Sequence, residues 1–338
     1  MEKLKILITG ANGFIGSHIA ERFLKEGHTV RCLAHRNTDR LNGLKQPPGT
    51  TTGGQIEIYR GSVTQPETLA GAVRDIDFIF HSAAVLRVVH AETYYDVNHA
   101  GTKNLIEATR QHNPKIKRFV YISSQAAMGP SESCAPRTAS SNCAPVSDYG
   151  RSKLLGEEEA LKFSDRIPVT ILRPSAVYGP GDKDLLLFFR LANRGFFPVL
   201  SPCKGGECFV QLVFVDDIAE VCLLLLTRKP ANTTYFVSQN TPYTWKQVGE
   251  IISRAVNKKL FFFKLPAGVL NLGATISETF MKLKGQPANL NRDKATELCQ
   301  PYWIADSSIT EKEFGFNFTP LEKGVEITYN WYRQNKWV

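Results

Sequence analysis

The chain has 338 residues, 43% of them hydrophobic and 22% charged, with a formal charge of +9. That is enough apolar material for one large core or a large unit plus a smaller one, and no stretch approaches the roughly 20 uninterrupted apolar residues that span a bilayer. Lys and Arg form no run interleaved with aromatics of the kind that tracks nucleic acid, and an odd count of seven cysteines argues against a disulfide framework.

Met1-Glu2-Lys3-Leu4-Lys5 runs directly into Ile6-Leu7-Ile8 and a glycine-rich turn, so the start reads as a strand over 4–9 rather than a signal peptide. The expected location is the cytoplasm. Apolar residues at helical spacing predict a helix over 14–25, closed by Gly27. A second strand follows at 29–34, then a Pro/Gly/Thr-rich loop at 46–54. Strands are expected at 56–59 and 78–81, a long helix at 97–112 and a fifth strand at 118–123. A Ser/Pro/Cys-rich loop covers 130–145, a helix 149–163, and a sixth strand 169–172, stopped by Arg173-Pro174. Alternating strands and helices with short links imply a parallel sheet covered on both faces, wound by right-handed crossovers.

After Ala176 that alternation breaks. An apolar helix is expected at 185–194, a loop at 195–209, a buried helix at 218–226, a strand at 234–237, and then a mixed region with aromatic clusters. Cys203 and Cys208 bracket a short loop that resembles a metal half-site, but no second Cys or His pair lies near in sequence, so no metal is expected.

Thr9-Gly10-Ala11-Asn12-Gly13-Phe14-Ile15-Gly16 follows the first strand and opens the first helix. Gly10 permits the tight turn, Gly13 lets backbone approach a pyrophosphate, and Gly16 lets helix and strand pack closely. The helix start then offers unpaired N–H groups and a positive dipole end to phosphate. Strand before, helix after and position at the start of the chain supply the context that a lone glycine triplet lacks.

With Phe80-His81-Ser82-Ala83-Ala84, Val97-Asn98-His99-Ala100-Gly101-Thr102-Lys103-Asn104, Tyr149-Gly150-Arg151-Ser152-Lys153 and Leu172-Arg173-Pro174-Ser175-Ala176-Val177-Tyr178-Gly179-Pro180-Gly181-Asp182 in that order, the chain resembles the extended branch of the short-chain dehydrogenase/reductase superfamily over nearly its whole length. The expected fold is therefore α/β, a Rossmann-type doubly wound parallel sheet with a smaller, mixed C-terminal substrate domain. Residues 1–175, with about 212–238 returning to them, are taken as the dinucleotide-binding part; 176–211 and 239–338 are taken as the substrate part. The resemblance implies cofactor contacts from Gly10, Asn12, Gly13, Phe14, Ile15, Gly16, Ala83, Ala84, Tyr149, Lys153, Pro174 and Val177. It also implies substrate contacts from Val85, Gln125, Ser175 and Tyr178, and a possible homodimer.

An acidic residue at the end of the second strand would bind a ribose 2′-hydroxyl and repel a 2′-phosphate. Here stand His35 and Arg36, which suit the phosphate, so NADP is favoured over NAD. The family's usual Gly-Asp after the third strand is Gly61-Ser62, followed by Val63, so Ser62 and Val63 are expected at the adenine with a weaker anchor than a carboxylate.

Tyr149 and Lys153 lie four apart on an expected helix and share a face. A tyrosine titrates near pH 10, too high for acid–base work at neutrality, and a neighbouring ammonium favours its phenolate. The family pattern makes Lys153 that neighbour and adds the Ser124 hydroxyl; Ser124 is chosen over Ser123 by counting back from Gly129. Asn98 either orders helix and cofactor or simply bonds local backbone. Sugar-nucleotide members usually carry an Asn where Ala176 stands and an Arg where Val210 stands, both near the substrate phosphates. Their absence leaves a diphosphate poorly matched. Phe188-Phe189, Phe196-Phe197, residues 261–263 and Val269-Leu270 are apolar and serve either a substrate pocket or the core. The expected reaction is an NAD(P)-linked interconversion of ketone and secondary alcohol on an apolar small molecule; the alternatives are a sugar-nucleotide epimerase or dehydratase with tightly held NAD, and a non-catalytic dinucleotide sensor.

Overall fold

The computed structural model describes residues 2–35, 38–44, 53–202, 206–229 and 231–338. Arg36, Cys203 and most of the loop expected at 46–54 lie outside them. β1 (Lys5–Thr9) is buried beyond its first residue, and α1 (Phe14–Lys25) lays Ile19, Ala20, Phe23 and Leu24 on the core side. β2 (Thr29–Ala34), α2 (Asp39–Gly43), β3 (Gln55–Arg60), α3 (Leu69–Val73) and β4 (Phe78–His81) continue the alternation. α4 (Glu92–Tyr94) passes through a π-helical turn, Tyr95–Ala100, into α5 (Gly101–His112). The helix expected at 97–112 is thus interrupted at Asn98, a placement common near functional sites. β5 (Arg118–Ile122), α6 (Gln125–Met128), α7 (Asp148–Leu161) and β6 (Val169–Pro174) follow.

β6 runs through Arg173 and Pro174, two residues beyond the expected stop, because the proline sits at the strand's last position and the next donor, Ser175 N, bonds Val237 O at 3.2 Å. β7 (Ala176–Tyr178), α8 (Leu186–Asn193), β8 (Phe196–Ser201), β9 (Phe209–Val210), β10 (Leu212–Phe214), α9 (Val215–Leu224) and β11 (Thr233–Val237) come next. β12 (Tyr243–Thr244), α10 (Trp245–Val256), β13 (Phe261–Pro266), α11 (Ala267–Leu283), α12 (Arg292–Leu298), β14 (Tyr302–Trp303), α13 (Ser308–Phe314) and α14 (Leu321–Gln334) complete the chain. The loop expected at 195–209 contains a strand, β8, paired in parallel with β13 from Phe196↔Phe261 to Ser201↔Pro266. Pro198 and an aromatic run without alternation hide it from a sequence reading.

Seven strands form one parallel sheet in the order β11-β6-β5-β4-β1-β2-β3. This is the Rossmann-type doubly wound arrangement. The order reverses between β1 and β4, which makes the crevice beyond the carboxyl ends of β1, β4 and β5 the natural ligand site. α1 and α9 pack one face, with Phe23, Phe80, Ile218 and Cys222 in the core, while α3, α5 and α7 pack the other around Leu105, Phe119 and Ile171. A second core around Phe189, Phe197, Trp245 and Tyr332 joins α8, β8, α10 and α14. No helix among the described residues is long and apolar enough to cross a membrane.

Candidate active site

The turn after β1 is built for close approach. Gly10 has φ +68°, and a Cβ there would come within 2.7 Å of Ala83 backbone, so only glycine joins β1 to the loop after β4. A Cβ on Gly16 would lie 2.3 Å from Gly10 O. Gly13, the N-cap of α1, supplies no side-chain acceptor to the first-turn N–H groups. Asn12 Oδ1 is buried without a hydrogen-bond partner. Open donors at a helix start and an orphaned acceptor beside them fit a dinucleotide's pyrophosphate and its attached sugars. Phe14 and Ile15 lie partly exposed in that first turn.

Behind the turn, Ala83 N donates to Thr9 Oγ1 at 3.1 Å, and Thr9 Oγ1 meets His81 Nδ1 at 2.6 Å. His81 Nε2 reaches Thr102 Oγ1 at 2.9 Å. Burial pulls His81 down to about 3, so it is a neutral brace between β1, β4 and α5. His35 is exposed beyond β2. The Ser62 hydroxyl turns onto Thr64, 2.9 Å from Thr64 Oγ1, and Val63 is buried against Gly101.

Ser124, Tyr149 and Lys153 come together where β5 ends against α7. Ser124 accepts from Ala126 N at 3.1 Å, capping α6, and its side chain lies close enough to Tyr149 to favour the ionised phenol. Lys153 is 1% exposed; its Nζ donates to Ile122 O at 2.8 Å and lies 4.1 Å from the Tyr121 ring centroid. Burial pulls Lys153 down to about 7, opposed by the Glu157 carboxylate. Burial pushes the Tyr149 phenol up, with Glu297 adding and Ser124 opposing. Near neutrality the site therefore offers a protonated phenol, a hydroxyl beside it, and an ammonium poised to give up or hold its charge. That is a proton-donating set for an oxygen developing negative charge.

Other residues lock these in place. Asn98, fully buried, accepts from Val85 N at 2.9 Å and donates to Val85 O at 3.2 Å and Ser152 Oγ at 2.9 Å. Of its two expected roles, the structure displays the local one, tying the loop after β4 to α7. A Cβ on Gly156 would fall 2.4 Å from Tyr121 Oη, so glycine there lets α7 press onto β5. Glu157 forms a buried pair with Arg173, Nε–Oε1 2.9 Å and Nη2–Oε2 2.5 Å, and accepts from Ser123 Oγ at 2.5 Å. Glu157 follows Lys153 by one turn, a spacing that could have flagged it.

A small cavity opens at Tyr149, lined by Leu86, Arg87, Tyr94 and Asp184 on one side. Asn289, Asn291, Asp293, Lys294 and Glu297, in and before α12, line the other. Seven of the ten residues of this lining carry charged or amide side chains, beside Leu86, Tyr94 and Tyr149. The apolar segments are elsewhere: Phe189 and Phe197 are fully buried in the second core, Phe188 stacks on Trp245, and Phe196, Phe261 and Phe263 are exposed. Hydrophobicity in sequence does not distinguish core, surface and pocket.

None of the four expected substrate residues lines this cavity. Val85 is held through its backbone by Asn98. Gln125 is buried next in sequence to Ser124, with Nε2 unpartnered. Ser175 Oγ accepts from Ser238 Oγ at 2.9 Å. Tyr178 is buried in the second core against Phe214 and Gly324. Pro174 is buried at the end of β6, and Ala84 and Val177 are partly exposed. Among the described residues no cluster of His, Cys, Asp and Glu is placed to hold a metal.

The model of the NAD dependent epimerase/dehydratase family matches residues 6–238. The chain is 28% identical to a ceramide reductase of Caulobacter vibrioides over 98% of this chain and 96% of that one. It is 28% identical to a 2-alkyl-3-oxoalkanoate reductase of Stenotrophomonas maltophilia over 93% and 94%. The solved structure of DesIV, a dTDP-glucose 4,6-dehydratase of Streptomyces venezuelae, superposes with a TM-score of 0.78 at 22% identity, covering 98% of each chain, a likeness of fold. The chain belongs to the NAD-dependent epimerase/dehydratase family and is an enzyme of the extended short-chain dehydrogenase/reductase type.

Proposed function

We propose that this member of the NAD-dependent epimerase/dehydratase family interconverts a ketone and a secondary alcohol on a small molecule with an apolar body and a polar end, using exchangeable NADP(H) in preference to NAD(H). The observation that carries this reading is the Tyr149 phenol beside the Ser124 side chain at the end of β5, with Lys153 one turn further along α7. Gly10, Asn12, Gly13 and the start of α1 would hold the dinucleotide phosphates, and Lys153 its nicotinamide ribose. The bound cofactor supplies hydride to the carbonyl carbon, or accepts it in the reverse direction.

The chain's own part is proton handling. Ser124 Oγ and Tyr149 Oη hold the carbonyl oxygen, and burial keeps the phenol protonated until charge develops there. Tyr149 then gives its proton to the alkoxide, and the Lys153 ammonium stabilises the phenolate left behind. Residues 1–175 with about 212–238 would carry the cofactor, and 176–211 with 239–338 the substrate.

The cavity's charge favours this reading over a sugar-nucleotide substrate. Arg87 is ion-paired with Asp184, and Lys294 lies 3.6 Å from Glu297. With Asp293, carboxylates outnumber cations in the lining, which repels a diphosphate. The relatives named as reductases of ceramide and of 2-alkyl-3-oxoalkanoates support a carbonyl on a hydrocarbon-bearing molecule. The test is to purify the protein, identify any nucleotide it retains, and follow NADPH absorbance as long-chain ketones and 3-oxoacids are added. Oxidation of added NADPH is expected; retained NAD with sugar-nucleotide conversion and no net NADPH loss would replace this reading.

A further inference from the structure

α11 has two apolar faces. One buries Ala267, Leu270 and Ala274 against Ala295 and Cys299. The other exposes Val269, Leu272, Ile276, Phe280 and Leu283, each 55–83% accessible. At helical pitch these five fall within a sector of roughly 80°. Phe261 and Phe263 on β13 are exposed too, at 64% and 37%. They share a strand face with Leu265, which packs against the buried side of α11. Single exposed hydrophobics are ordinary, but a clustered set on one strand–helix unit marks a contact surface.

Its rim is basic. Lys282 and Lys284 are exposed, and among the described residues no carboxylate forms a salt bridge with them. Lys284 Nζ lies 4.3 Å from the Phe280 ring centroid. Glu278, the one acidic residue of α11, is occupied by Arg292, with Nη2–Oε1 at 3.1 Å and Arg292 N–Oε2 at 2.8 Å. Lys282 and Arg292 border an open cleft beside Leu283, so cation and hydrocarbon stand side by side.

We propose that this face docks on an anionic lipid bilayer. α11 lies in the headgroup plane, its stripe enters the acyl region, and Lys282 and Lys284 meet acidic headgroups. The helix is too short to cross, so the contact is interfacial. Charge selects this occupant over a second copy of the chain. With Glu278 neutralised by Arg292, two copies meeting on this face would set lysine rim against lysine rim in a protein already at +9. The short segment from Leu283 to the cavity-lining Asn289 then keeps the Tyr149 cavity close to the lipid.

The test is flotation of the full chain with vesicles of equimolar phosphatidylglycerol and phosphatidylcholine, against phosphatidylcholine alone. Flotation is expected with the anionic vesicles, weakened by salt, and at least about tenfold lower with neutral ones. Ile276→Glu with Phe280→Glu, and separately Lys282→Glu with Lys284→Glu, should each cut the bound fraction about tenfold without changing circular dichroism, since these side chains point to solvent. The proposal is overturned if the wild type does not float, if either double variant floats equally well, or if the wild type is a dimer that Ile276→Glu separates.

Discussion

Asp293 accepts the backbone N–H of Asp148 at 2.7 Å and that of Tyr149 at 3.1 Å, so one carboxylate of α12 caps the helix that carries the proposed proton donor. Helix starts leave such donors unpaired, and an anion there is favoured by the dipole as well. Asp293 thereby positions Tyr149 from across the cavity. Asp293→Ala is expected to lower stability by about 1 kcal/mol and to reduce kcat more than it raises KM for the dinucleotide. Asp293→Asn, which keeps an acceptor, should recover part of both. Urea unfolding and steady-state kinetics on the two variants measure this.

The Glu157–Arg173 pair is buried on both sides, 2% and 6% exposed at its side chains. Arg173→Met leaves the carboxylate without its partner in a dry site and should cost about 3–5 kcal/mol. Adding Glu157→Met should return much of that loss. The urea midpoints of the single and double variants give the comparison; equal loss in both would show that shape rather than charge sets the cost.

Lys153 sits near 7 in the fold against an ordinary 10.5, because burial disfavours its charged form. Between those values the unfolded chain binds more protons at this site than the folded one, so stability rises with pH across that window. The penalty is full below pH 7 and fades toward 10.5. Lys153→Met removes it. The stability advantage of that variant over wild type should therefore be largest at pH 6–7 and shrink by pH 10, as read from urea unfolding of the apo protein at each pH; an advantage constant with pH would contradict the assignment.

The parts legible in sequence were local ones. A strand, three glycines and a helix start are contiguous, and their spacing describes the tight turn at Gly10, while its approach to Ala83 across the sheet is tertiary. Tyr149 and Lys153 are one helical turn apart, so their common face follows from helix geometry, whereas Ser124 was an expectation from the family pattern, counted back from Gly129. What stayed hidden was non-local. Nothing near Tyr149 in sequence points to Asp293, which reaches it through tertiary packing alone. β8 and β13 pair across more than sixty residues, with Pro198 breaking the local strand signal. The phenylalanines were visible as apolar, but only packing divides Phe189 and Phe197 in the core from Phe261 and Phe263 at the surface.

The proposed preference for NADP rests on His35 and Arg36, which follow β2 in sequence. Arg36→Glu should lower kcat/KM with NADPH at least about tenfold, the loss of a charge-assisted phosphate contact, while leaving NADH within about twofold. Parallel assays with both cofactors read this. An equal effect on the two would mean that Arg36 does not meet the 2′-phosphate.

Tyr149 is the proposed proton donor. Its most direct test is single-turnover NADPH oxidation with a ketone the wild type reduces, comparing Tyr149→Phe. The phenyl ring keeps the packing with Tyr94 and removes only the hydroxyl. NADPH affinity should stay within about twofold while the hydride-transfer rate drops by about 10²–10⁴. A variant that binds NADPH and reduces the ketone at the wild-type rate would show that Tyr149 is not the proton donor.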